Sequence, residues 1–104
     1  MFEEPLVLRR EGDVLVVAGS VDEFALVGLR VAIDDIVEQA RKAVVDVSEV
    51  AFLPSAAVGV LVQARGFARR QGGELIIVAA DGSPAQRTLS LMGVDAEFSR
   101  PEGI

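Results

Sequence analysis

Two uninterrupted apolar runs of strand length, residues 14–18 and 75–80, constrain this chain most, with a third run, residues 43–47, broken only by Asp46. Such runs bury both faces, as strands do inside a parallel sheet covered by helices. The segments between them are longer and have a different period. Leu26, Leu29, Ile33, Ile36, Val37 and Ala40 recur at the i, i+3, i+4 spacing of one helical face. Ala57, Val60, Leu61, Ala64, Phe67 and Ala68 do the same in a second segment, which ends at Gln71-Gly72-Gly73. Strand, helix, strand in alternation is the pattern of an α/β fold with right-handed crossovers.

Local punctuation supplies the boundaries. Leu6-Val7-Leu8 reads as a first strand, turned at Glu11-Gly12-Asp13 into a hairpin with residues 14–18. Gly19-Ser20-Val21-Asp22 opens the first helix, with Ser20 and Glu23 at capping-box spacing and Asp22 as the alternative cap. Glu38 and Lys42 form an i, i+4 pair toward its end. Phe52-Leu53-Pro54 links the middle strand to the second helix, for which Ser55 is the expected N-cap. Ser83-Pro84-Ala85-Gln86 combines an N-cap, a proline at N1 and a capping-box glutamine, so a third helix runs from there to about Met92 and stops at Gly93. Residues 96–99 read as a last short strand. The expected order is β-β-α-β-α-β-α-β, a single α/β domain with helices on a mixed, mostly parallel sheet.

Composition removes several function classes. The 104 residues include no cysteine and no histidine, so thiol chemistry, disulfides and a Ser-His-Asp triad are excluded. Sixteen acids against ten basic residues leave a net charge of −6, which argues against a nucleic-acid partner. No apolar stretch nears the ~20 residues of a membrane span, and the acidic start Met1-Phe2-Glu3-Glu4-Pro5 lacks the features of a secretory signal. A cytoplasmic protein is expected. The adjacent acids Asp34-Asp35 and Glu3-Glu4 splay apart and are solvated surface, not a metal site. No phosphate loop occurs, and the only lysine, Lys42, stands at a predicted helix end. Arg65, Arg69 and Arg70 cluster late in the second helix, where a solvated C-terminal turn accounts for them better than a phosphate or partner contact. No residue set supplies both a nucleophile and a base, so an enzyme is not expected and no cofactor is implied.

The segment from Asp46 to Gly59 carries the most information. A buried strand passes into a helix whose first turn, Pro54-Ser55-Ala56-Ala57-Val58-Gly59, is built of small residues that let a partner backbone come close. Taken with Gly19-Ser20-Val21-Asp22, Val44-Val45-Asp46-Val47-Ser48, Gly72-Gly73-Glu74-Leu75 and the Arg87-Thr88-Leu89 to Leu91-Met92-Gly93-Val94 stretch, it resembles a STAS domain of the bacterial anti-sigma factor antagonist type. The likeness runs over residues 6–98 of a single domain spanning 1–104.

That resemblance implies a protein-binding regulator that docks an anti-sigma factor, or a related kinase-fold switch protein, and frees a sigma factor by competition. It also implies a departure. The family signature places a phosphorylated serine where this chain has Ala56, an aspartate where it has Pro54 and a glycine where it has Ala57. Ser55 is the one hydroxyl left, and its family counterpart is not the usual phosphorylation site. A phosphoserine switch at Ala56 is therefore expected to be absent. The contact surface is expected on Ser20, Asp22, Glu23 and Phe24, with Pro54, Ser55, Ala56, Ala57, Gly59 and the exposed side of the second helix, including Val58 and Val62. Two other members of the resemblance stay open: an accessory subunit of an ABC-type lipid transport system, and a nucleotide-binding STAS domain. The sequence leaves the oligomeric state open, a homodimer included.

Overall fold

A computed structural model describes residues 5–103. The elements are β1 (Val7–Glu11), β2 (Val14–Ser20), α1 (Ala25–Gln39), β3 (Lys42–Phe52), α2 (Ser55–Arg70), β4 (Glu74–Val78) and α3 (Pro84–Leu91). The strands form one sheet in the order β1-β2-β3-β4. The predicted hairpin forms: β1 and β2 are antiparallel, with Glu11 opposite Val14 across the turn. The pairs β2/β3 and β3/β4 are parallel, as two strand–helix–strand crossovers require.

Alternation along the strands divides the apolar residues between the two sheet faces. Leu15, Val17, Ala43, Val45, Val47, Leu75 and Ile77 join Leu29, Ile33 and Ile36 of α1, Ala57, Leu61, Ala64 and Ala68 of α2, and Ala85 and Leu89 of α3 in the main core. Val14, Val16, Val44 and Val78 form a smaller cluster on the reverse face, with Ile76 beside it. Asp46 shares that reverse face. Its Oδ2 accepts a 2.9 Å hydrogen bond from Arg100 Nε, and its Oδ1 accepts one from Ser48 N–H at 3.0 Å. Burial pushes the Asp46 pKa up, but the Ser48 and Arg100 hydrogen bonds outweigh it and hold the carboxyl below the usual aspartate range. Arg100 also reaches Glu11 at 3.2 Å, tying the end of the chain to the edge hairpin.

Several elements differ from their sequence expectation. The middle strand is eleven residues long and runs through Phe52, because β2 itself continues to Ser20 and offers it a partner. Lys42 opens β3, so its expected helical pair with Glu38 does not exist; α1 ends at Gln39. Residues 96–99 make no fourth parallel strand. One bridge joins Val78 and Glu97, and the element order closes at α3. At that helix the expected cap is present: Ser83 Oγ accepts from Gln86 N–H at 3.2 Å. Among the described residues, no helix is long and apolar enough to cross a membrane.

Candidate functional site

The small-residue turn of α2 sits where the chain leaves the carboxyl ends of the two central parallel strands, the customary position for function in an open α/β sheet. Gly19 shapes the neighbouring loop. Its φ of 90° is open to glycine alone without strain, and it lies at a shift in the β2/β3 register. After that shift, Ser20 pairs with Phe52, and Val21 N–H donates to the Phe52 carbonyl at 3.2 Å. The loop from Gly19 is thereby held beside the strand that feeds α2.

This pairing settles the cap of α1. Ser20 is a strand residue and does not cap. Asp22 Oδ1 accepts from Ala25 N–H at 2.8 Å, so Asp22 orders a single turn through Glu23 and Phe24 before the helix begins. Phe24 stands at the N-cap with 85% of its surface exposed. At α2 the N-cap is Pro54, in extended conformation, and Ser55 is the first helical residue with no capping side chain. The Pro54 carbonyl accepts from Ala57 N–H at 3.0 Å and Val58 N–H at 3.1 Å. The expected Ser55 cap is replaced because Pro54, with fixed φ and ψ of 161°, already takes the non-helical N-cap conformation.

The helical period then sorts the turn. Ser55, Ala56 and Gly59 are exposed, and Val62 is 40% exposed. Ala57 and Val58 turn into the core, at 0% and 1% exposure. The sequence reading places Val58 on the outer side with Val62, and the structure corrects it. Val58 lies three residues before Leu61, which puts both on the inward stripe. A Cβ added at Gly59 would meet nothing within 4 Å, so the helix surface is open there. No charged residue occurs between Phe52 and Ala64, although a quarter of the whole chain is charged.

Large apolar groups that sequence periodicity assigned no role add to this end of the molecule. Phe52, at the close of β3, is 59% exposed, and α1 turns Val27 and Val31 to solvent at 71% and 54%. The signal was present: Phe24, Val27 and Val31 repeat at helical spacing off the inward stripe. α1 and α2 lie side by side, and Arg30 of α1 donates to Gln63 Oε1 of α2 at 3.3 Å. The exposed groups offer apolar contact and small-residue access without a nucleophile–base pair. Among the described residues, no group of three or more acids is assembled to hold a metal.

Comparison with known proteins agrees with the fold. A family model described as the STAS domain matches residues 4–102. An anti-sigma factor antagonist from Mycobacterium paratuberculosis superimposes with a TM-score of 0.71 at 22% identity, over 91% of this chain and 86% of its own. The anti-sigma factor antagonist SpoIIAA in its unphosphorylated form gives 0.66 at 16% identity, over 86% of this chain and 82% of its own. The Bacillus cell fate determinant SpoIIAA in its phosphorylated form gives 0.62 at 18%, over 86% and 83%.

Proposed function

This chain belongs to the STAS family, and from that premise we propose that it is an anti-sigma factor antagonist whose docking face is not gated by serine phosphorylation. The observation that carries the reading is the uncharged outer face at the start of α2. Ser55, Ala56, Gly59 and Val62 point outward, with Phe24 and Phe52 exposed at the same end of the fold. A surface of this kind is suited to binding protein. Two of the solved neighbours are anti-sigma factor antagonists, which supports the choice of partner.

Docking works by burial and close approach. Gly59 and Ala56 present almost no side chain, so a partner backbone reaches the helix surface, while Val62 and the phenylalanines supply apolar area. An anti-sigma factor held on this face gives up its sigma factor by competition. The gate in the resembled family is a phosphoserine, which brings about −1.5 to −2 charges to the start of this helix. Ala56 has no hydroxyl to accept it. The α2 part of the docking face stays uncharged, so control passes to expression level or to a signal acting on the partner.

Affinity capture from lysate of the source organism, with retained proteins identified by mass spectrometry, tests the reading. An anti-sigma factor is expected on the wild-type protein and not on Gly59→Arg, an exposed change that leaves the core intact. Incubation with the captured kinase and ATP is expected to leave the wild-type chain unmodified and to phosphorylate Ala56→Ser. Recovery of transporter subunits without an anti-sigma factor overturns the antagonist reading. Stoichiometric phosphate on Ser55 overturns the ungated one.

A further inference from the structure

The outer edge of β4 is unfinished. Residues 95–97 approach it and make two hydrogen bonds, Glu97 N–H to the Ile77 carbonyl and Ala79 N–H to the Glu97 carbonyl, both at 2.8 Å. The backbone groups of a strand alternate sides. Glu74 N–H points inward, to the Arg41 carbonyl at 2.8 Å. Leu75 and Ile77 therefore direct their N–H groups outward, toward the side Glu97 occupies. A continued parallel ladder would give the Ile77 N–H the Asp95 carbonyl. That carbonyl instead accepts from Arg65 Nη1 at 2.8 Å, and the ladder stops.

Below the stop lies a depression of about 320 Å³ between α2 and β4, lined by Arg65, Arg69, residues 73–77 and residues 95–97. Its cations are distinctive in a chain of net charge −6. Among the described residues, Arg65 and Arg69 make no ion pair. They are spaced i, i+4 on α2, which sets their Cβ atoms ~6 Å apart. Alternate residues of an extended strand are ~6.6 Å apart. A strand added along β4 would thus present every second side chain to the two arginines, on the face where Leu75 and Ile77 point. Its other side chains would fall beside half-buried Ile76 on the reverse face.

We propose that this edge is a second docking site, distinct from the outer face at the start of α2, that takes an extended peptide segment of alternating acidic and apolar residues by strand addition. The N–H and carbonyl of Leu75 and the N–H of Ile77 supply the pairing, the Ile77 carbonyl being held by Glu97 N–H. Arg65 and Arg69 select acids on one set of alternate positions, and Ile76 favours apolar residues on the other. The acidic neighbours Glu74, Asp95 and Glu97 disfavour a peptide acidic at every position.

The probe is a fluorescein-labelled, acetylated and amidated peptide, Val-Glu-Val-Glu-Val-Glu, with Val-Lys-Val-Lys-Val-Lys as its opposite. Fluorescence anisotropy on the full chain is expected to show saturable binding of the acidic peptide, weakened by salt. Arg69→Glu, an exposed change, is expected to weaken it about tenfold or more, while Gly59→Arg leaves it unchanged. Amide NMR shifts are expected at Leu75 and Ile77 on titration. Equal binding of the lysine peptide, or shifts that spare those two amides, overturns the proposal. So does a concentration-dependent dimer in sedimentation that Arg69→Glu dissolves, since a second copy would then own the edge.

Discussion

Gly59→Ala separates folding from docking by the sign of its effect. Gly59 is an interior position of α2, with a backbone that any L-residue adopts: it is absent from the glycines of positive φ. The added Cβ meets no atom within 4 Å, so packing contributes nothing in either direction. What remains is propensity. Alanine is favoured over glycine in an exposed helix interior by about 0.8–1.0 kcal/mol. For a domain near this size that raises the Tm by about 4–8 °C, and the urea midpoint by about 0.3–1 M. Gly28→Ala in α1, equally exposed and equally open, is expected to gain the same amount and serves as the control. The two variants part in capture of the anti-sigma factor. At Gly59 the methyl occupies space that a partner backbone needs, so Gly59→Ala binds more weakly while folding better. Urea denaturation and capture on the same samples check both. A loss of stability at Gly59, or a gain there with undiminished capture, refutes the reasoning that the position is kept small for a partner.

Other variants are expected to report on the core and its charges. Gly73→Ala places a Cβ 2.6 Å from the Arg41 carbonyl oxygen, the acceptor of the first bond between β3 and β4, and should cost about 1–3 kcal/mol in urea denaturation. Val58→Glu buries a carboxylate at a position 1% exposed. It should destabilise by at least about 3 kcal/mol, read as a lowered Tm, and so abolish capture only by unfolding. Asp46 has a folded pKa below its unfolded one. Its contribution is therefore complete above about pH 4 and is lost as pH falls through the depressed folded value. Asp46→Asn should be less stable at pH 7 by about 1–3 kcal/mol, with a flatter acid limb in pH-dependent urea curves. An unchanged acid limb would show that Arg100 and Ser48 do not hold the charged form.

What could be read from the sequence is what its determinants keep local. The cap of α3 needed only Ser83, Pro84 and Gln86. The inward stripes of α1 and α2 needed only their spacing. The Ser20 cap failed because Val21 is bonded to Phe52, thirty-one positions away in the chain, and no local rule contains that bond. The last strand failed for a similar reason: Arg65 takes the carbonyl that would have continued the ladder. At the site, Ser55, Ala56 and Gly59 are exposed. Val58 is not, because a stripe wide enough to include Leu61 and Ala64 also includes the residue three before Leu61. Phe52 lies two residues before Pro54 and so resembles a link in sequence, yet it stands at the end of a strand that only β2, distant in the chain, can extend.

The charge pattern of α2 determines how its two proposed surfaces can be told apart. From Ser55 to Ala64 the helix has no charge; from Arg65 to Arg70 it has three arginines. The arginines also favour the negative end of the helix dipole, so stability alone would account for Arg69 and Arg70 in its last turn. It does not account for Arg65 being spent on the Asp95 carbonyl, which leaves the β4 edge open. The two halves bind by different physics. Apolar burial at the start of the helix changes little with ionic strength, whereas exposed guanidinium–carboxylate attraction weakens as the Debye length falls from ~10 Å at 0.1 M salt to ~3 Å at 1 M. A partner held by the first surface should survive a salt wash that releases a partner held by the second. A single partner engaging both should weaken with salt only to the residual affinity of the apolar face, and Arg69→Glu should remove the salt dependence while leaving that residue of binding intact.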